Sequence, residues 1–472
     1  MIYNIYNTTK KLLWGFSIAF LSLSCEDLVD VDMPSTTFMD RATVYEDAGT
    51  AEAALRGVYE SMQRTSNLFY EGGFNGSQAA LGLASGELYH PQANNAILLQ
   101  YEENNILADN SYVQGIWQSL YSLIYQANVL MENTENSNTL SNDLKNQLVG
   151  EALFIRAKSH FDLLNLFGAV PLVTTSDYTL NANIPRTPVE DIYIQVETDL
   201  IKSLDLLPNV YPGNGQRIRA NNSVVKALLA RVYLYQEKWE KGVVMANEVI
   251  SDELYELVEL NNITVANNRE SIWQLPPWLS RSGNNLATGE GIFFGTSFYL
   301  NYFSTLKSDF LNNFEPGDLR ESEWIRLDPS GLYAPYKYKV NNTGNSRIEY
   351  QTIFRLAEQY LIRAECHTHL GELALAIDDV DVIRSRANLP MISETNPTIS
   401  QTDLLEIIMH ERQVELFTEW GHRWHDLKRT GRAVEVLSSI KPEIMQDDLL
   451  WPIPQQEINN NPALRGHQNP GY

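Results

Sequence analysis

The sequence is poor in cysteine, in positive charge and in long apolar runs. Its 472 residues include two cysteines, Cys25 and Cys366. That is too few for a secreted fold stapled by disulfides, so apolar burial must carry stability. Against 59 acidic residues stand 35 basic ones, a formal charge of −24. Such a surface repels phosphate backbones, which excludes a nucleic-acid partner. It also disfavours strongly anionic glycans, because like charges cost affinity. Beyond residue 30 no apolar run approaches the roughly 20 residues of a spanning helix, so no transmembrane domain is expected. G-x-S-x-G, a Cys/His nucleophile signature and a Gly-rich phosphate loop are all missing. The motifs therefore support no enzyme activity, and no cofactor is expected.

What is present begins with Lys10 and Lys11 and the apolar run "LLWGFSIAFLSL" at 12–23. As a helix those residues would extend about 18 Å, short of a hydrocarbon core of about 30 Å. A basic end followed by a short apolar stretch describes a secretory signal. The run ends at Ser24-Cys25 and resembles a bacterial lipobox, with Ser22 where a Leu is usual. That resemblance implies acylation of Cys25, which would become the mature N-terminus; several acyl chains hold a soluble body firmly where one does not. Glu26, Asp27, Asp30 and Asp32 follow at once. In lipoproteins of Bacteroidetes-like bacteria, acids at this place resemble a surface-export signal. The expectation is a signal peptide over 1–24, a polar tether over 25–45, and a body attached to the membrane by its lipid alone.

From residue 46 the pattern is helical. In "SYVQGIWQSLYSLIYQANVLMENTEN" (111–136), Val113, Ile116, Trp117, Leu120, Leu123, Ile124 and Val129 recur with the 3.6 period. The segment at 144–168 closes on Gly168, a C-terminal stop. Segments 227–250 and 360–383 superpose with Ala230 on Ala364 and Trp239 on Leu373. Each reads as two helices around a short polar turn, with a small residue letting the backbones approach. This resembles the tetratricopeptide helix pair, which must stack to bury its face. The expected fold is all-α: helix pairs over 46–254 and 351–472 forming one helical body, with an irregular, loop-rich lobe over 255–350 carrying a ligand site. Insertions in stacked helix pairs often fall on the binding face.

Candidate ligand residues come from the irregular stretches. "GIFFGTSFYLNYF" (291–303) contains six aromatics, among them Tyr299 and Tyr302, and Trp278 follows two prolines. Tyr89 and His90 stand beside Gln92, Asn94 and Asn95. Flat rings next to amides suit the C–H faces and hydroxyl rims of sugars. Tyr89, His90, Asn94, Trp278, Tyr299 and Tyr302 are therefore the candidate ligand set. The rival reading is that these rings pack the lobe onto the helices, and both readings stand at this point. His422 and His425 are three residues apart, a spacing that can bind metal. The run lacks HExxH order and carries Arg423, Lys428 and Arg429, so we read it as structural and expect no metal. Cys366 sits on an apolar helix where a small buried residue is expected.

The ordered blocks "EALFIRAKSHFDLLNLFGAVPLV" (151–173), "RTPVEDIYIQVETDLIKSLDLLP" (186–208), "FRLAEQYLIRAECHTHLGE" (354–372), "ERQVELFTEWGHRWHDLKRTGR" (411–432) and "LLWPIPQQEINNNPALRGHQNPGY" (449–472) resemble the SusD/RagB family of outer-membrane lipoproteins. The resemblance implies four tetratricopeptide-like pairs. It also implies a SusC-like TonB-dependent outer-membrane barrel as partner, to which a captured oligosaccharide or polysaccharide is delivered. Location at the outer membrane, facing the cell surface, follows from the same resemblance, which makes "GHRWHDLKR" (421–429) a structural signature. A peptide-binding member of such a complex and a purely protein-binding scaffold are the alternatives; a helical glycosidase is a third reading.

Overall fold

Helix α1 (Ala48–Gln63) begins where the Asp47 carboxylate accepts from Thr50 N at 3.0 Å, satisfying a helix-end donor. It buries Ala51, Leu55, Val58, Tyr59 and Met62, one face at helical spacing. In the computed structural model the described residues are 41–64, 67–70, 76–277, 287–341 and 348–472. The chain divides into an amino-terminal segment, Met1–Val44, and one unit, Tyr45–Tyr472. Of the first segment only the helical turn Arg41–Val44 is described. The segment expected to be a signal peptide, Cys25, nearly all of the expected tether, and Trp278 lie outside the described residues. No helix among the described residues is long and apolar enough to cross a membrane.

Helix α2 (Ser77–Ala84) is buried throughout. Its C-terminal carbonyls are met by an ammonium: Lys441 Nζ donates to Leu83 O at 2.7 Å and Ala84 O at 2.8 Å. After the two-residue strand β1 (Leu88–Tyr89) and α3 (Ala96–Glu103) come the long helices α4 (Ser111–Asn136) and α5 (Asn142–Phe167). Asn110 caps α4 at Tyr112 N and Val113 N. Its buried face is the expected one, except that Val129 is half-buried and Leu130 and Met131 take its place. Helix α5 is buried from Leu148 to Phe161 on every side, because it packs against both α4 and α6 (Val189–Leu206). Gly168 ends it at φ +71, as its sequence position suggests. Arg156 joins all three, with two 2.7 Å bonds to Asp199 and one of 2.8 Å to Asn128. Helices α7 (Asn222–Tyr235) and α8 (Trp239–Ile250) form the next hairpin.

Among the described residues the lobe contributes strands to two small antiparallel sheets. Strand β2 (Ser271–Leu275) pairs with β6 (Gln351–Arg355). A second sheet has the order β1-β3-β5-β4, from β3 (Thr305–Leu306), β4 (Ile325–Leu327) and β5 (Tyr333–Pro335). Between them lie α9 (Gly289–Gly295), α10 (Ser297–Tyr302) and α11 (Leu319–Trp324). The lobe thus shares one sheet with residues 88–89 before it and the other with 351–355 after it.

Strand β6 runs straight into α12 (Leu356–His369), which turns into α13 (Leu373–Arg386). The superposition read from the sequence extends to the turns. Glu237 and Gly371, at corresponding places, both adopt a left-handed backbone, with φ +56 and +78. Ala230 and Ala364 are both fully buried. The hairpins also pack on each other, α8 against α12. There a Cβ on Gly242 would lie 2.7 Å from Cys366 Sγ, so the thiol fills a close helix crossing. Burial pushes that thiol's pKa well up. Helix α14 (Gln401–Glu415), α15 (His422–Arg429) and α16 (Ala433–Leu437) complete the body. The fold is helical with few strands, as expected.

Candidate functional site

Two stretches that look irregular in sequence meet at the β1–β3 pair. Leu88 is opposite Leu306 and Tyr89 opposite Thr305. His90, the next residue, locks the meeting. Its Nδ1 lies 2.6 Å from the Phe303 carbonyl, 213 residues away. Its Nε2 lies 3.1 Å from the backbone N–H groups of both Asn94 and Asn95. A carbonyl can only accept and an N–H can only donate, so this pattern fixes the neutral tautomer with the proton on Nδ1. His90 is 3% exposed. Both ring nitrogens are spent and buried, so His90 holds the loop and offers no free polar atom to a ligand.

Around this clamp stands a platform of rings. On α10, Phe298 is 57% exposed and Tyr302 43%, with centroids 4.7 Å apart and planes at 35°. Tyr299, half-buried, meets Phe298 edge-on at 5.4 Å and connects through Phe293 to the lobe interior. Six-residue α10 holds its place because α9 is pressed against the chain at 340–341. A Cβ on Gly291 would lie 2.1 Å from Val340 O, and one on Gly295 2.4 Å from Asn341 Cβ, so only glycine fits. The segments that meet here also carry polar groups. Asn301 Nδ2 donates to Ser330 Oγ at 3.2 Å, on the β4–β5 turn. Exposed Asn94 donates to Gln92 Oε1 at 3.1 Å. Glu102 and Asp328 accept backbone N–H groups, from His90 and Ser330 respectively, at 2.7 and 2.8 Å.

Of the candidates, Tyr89, Asn94, Tyr299 and Tyr302 belong to segments that the β1–β3 pair brings together. Tyr89 is half-buried, and burial raises its phenol's pKa. Phe298 was absent from the set although it is the most exposed ring on α10. Its spacing of four from Tyr302 on one short helix was the signal available. Asn301 and Ser330 left no sequence signal, since their meeting depends on the sheet.

Cationic side chains crowd the histidine run. His422 and His425 are pushed down, His425 to about 3, by burial first and then by cationic neighbours: Arg231 and Arg412 for His422, and Lys428 and Arg231 for His425. Glu315, His410 and Glu411 bring ligand-type atoms together. There the Arg384 guanidinium lies 2.6 Å from both Glu315 and Glu411, supplying the positive charge itself.

The same run anchors the lobe. Glu415 accepts from Arg320, Arg355 and Arg386. Glu411 accepts from Arg320 and Arg384, and Glu419 from Arg355 and Lys337. Arg320 and Arg355 come from the lobe and its last strand. Desolvation raises the Glu415 carboxyl, but the three guanidiniums outweigh it and hold its pKa far below the usual carboxylate range.

Two family models match the chain. One, described as the SusD family, covers residues 313–472. The other, described as "Starch-binding associating with outer membrane", covers 62–234. Among curated relatives, SusD-like protein P2 of Formosa agariphila is 27% identical over 98% of this chain and 100% of its own. SusD-like protein P25 of the same organism is 24% identical over 95% and 96%. A SusD homolog from Bacteroides thetaiotaomicron superposes with a TM-score of 0.78 at 19% identity, over 93% of this chain and 100% of that one. A laminarin-binding SusD-like protein superposes with a TM-score of 0.73 at 24% identity, over 91% and 100%.

Proposed function

Since the chain belongs to the SusD family, we propose that it binds a neutral oligosaccharide or polysaccharide at the cell surface without transforming it. It passes that ligand to a SusC-like TonB-dependent barrel in the outer membrane. The observation that carries the reading is the platform: rings of α10 exposed to solvent, with Asn301 of the same helix bonded to Ser330. Exposed ring faces offer apolar contact to sugar C–H groups, while amides and hydroxyls match sugar hydroxyls in both directions. The description of one matching family as starch-binding, and a structural neighbour named for laminarin, support the ligand class.

The test uses the full-length protein in detergent and a glycan panel that includes laminarin and starch. Replacing Phe298 and Tyr302 together by Ala should weaken binding of the recognised glycan at least about tenfold, the scale of losing stacking contacts. Thermal stability should change little, because both side chains are exposed. Equal loss of stability and affinity would make these rings part of the packing. Anchoring is tested separately: palmitate incorporation should follow the wild-type protein to the membrane, and Cys25→Ser should abolish both labelling and membrane retention.

A further inference from the structure

Between α14, α15 and α16 lies a pocket of about 210 Å³ that the platform does not use. Its apolar walls are Met409, Leu427 and Val436, and its polar groups include Arg423, Gln413 and Arg432. The charges there are unevenly matched. Asp426 accepts from Arg412 and Arg429, each at 2.8 Å. Glu406 accepts from Arg432 at 2.8 Å. Among the described residues Arg423 has no such partner, and its one hydrogen bond there runs from Nε to Ser85 O at 3.4 Å. No carboxylate among the described residues comes within ion-pair distance of it, although Glu87 and Asp426, the latter already bonded to Arg412 and Arg429, are neighbours whose fields it feels. Burial depresses the Arg423 guanidinium and pushes the Glu87 carboxyl up to about 7, so Glu87 is an incomplete counter-charge. The Gln413 side-chain amide also has no hydrogen-bond partner among the described residues.

A guanidinium whose two terminal nitrogens are unbonded, an idle amide and an apolar wall are what a small organic acid needs. The guanidinium's parallel N–H groups match a carboxylate bidentately, the amide takes a further oxygen, and the apolar wall takes the carbon body. We propose that this pocket binds the carboxylate of a small ligand of monosaccharide size. The inference is independent of the platform. It also locally reverses the repulsion that a charge of −24 sets up against anions.

The experiment is calorimetry on the full-length protein in detergent with three probes: glucuronate, acetate and glucose. Glucuronate should bind at least about tenfold more tightly than glucose, the scale of a charge-assisted hydrogen bond. Arg423→Gln should reduce glucuronate binding by a similar factor. Met409→Trp, which fills the pocket and leaves the charge, should do the same and keeps the test valid if Arg423→Gln fails to fold. Acetate matching glucuronate, with both lost in Met409→Trp, supports the site with a simple carboxylate as its occupant. Tighter glucuronate supports a sugar acid. Glucuronate binding no better than glucose, or binding that survives Met409→Trp, overturns the proposal.

Discussion

His90 shows how one side chain sets the register of a surface. Three hydrogen bonds to backbone groups make its ring a rivet between the 90–95 loop and the end of α10. Replacing it by Ala removes its bond to the Phe303 carbonyl and its bonds from the Asn94 and Asn95 N–H groups. Each group left buried without a partner costs about 1–3 kcal/mol, so His90→Ala should lower unfolding free energy by at least that in denaturant titration. Glycan affinity should fall with it, because α10 loses its tie to Tyr89. An affinity unchanged at a temperature where the variant is folded would detach the platform from this clamp. Glu237 makes the opposite case. Its left-handed φ of +56 costs a non-glycine residue roughly 1 kcal/mol. The chain already uses glycine at the corresponding turn, Gly371. Glu237→Gly should therefore raise the melting temperature slightly, provided relief of strain exceeds the added freedom of the unfolded chain.

At the scale of elements, the helix hairpins were legible in the sequence and the platform was not. Helical period, small residues such as Ala230 and Ala364, and a glycine stop at Gly168 all act within a few residues of themselves. Strand β1 is two residues long and finds its partner more than two hundred residues away, so no local pattern announces it. Helix α14 misleads for a related reason. Its "HERQVE" looks like a solvated face, yet Glu411 and Glu415 are fully buried and Arg412 is 1% exposed. Those charges are internal because distant segments deliver partners to them: Arg320 from the lobe, Arg355 from β6, and Arg384 and Arg386 from α13. Truncating one member of a buried ion cluster typically costs 3–5 kcal/mol, and Glu415→Gln should lose about that at neutral pH. The sign of the pH dependence follows from the depressed Glu415 carboxyl. Its contribution is full above the unfolded value of about 4.3 and is lost as pH falls through the lower folded value. The melting temperatures of wild type and Glu415→Gln should thus differ at pH 6 and converge toward pH 2. A constant gap across that range would mean that the variant loses packing, not charge.

For the molecule as a whole, the ion cluster and the two shared sheets make lobe and helices one folding unit. Strands β2 and β6 bracket the lobe, and β6 continues without a break into α12. The membership of each helix pair could be read from its own residues. That the lobe is stitched to both flanks could not, because stitching belongs to pairs of distant segments and not to any one of them. This arrangement has a consequence for the cell. The ring-bearing surface is assembled from residues near position 89 and near position 300, and is braced by charges that arrive only after position 400. A chain that stops before position 400 therefore owns every ring of that surface but lacks the charges that brace it, so an ordered ring surface doubles as a certificate that synthesis has finished.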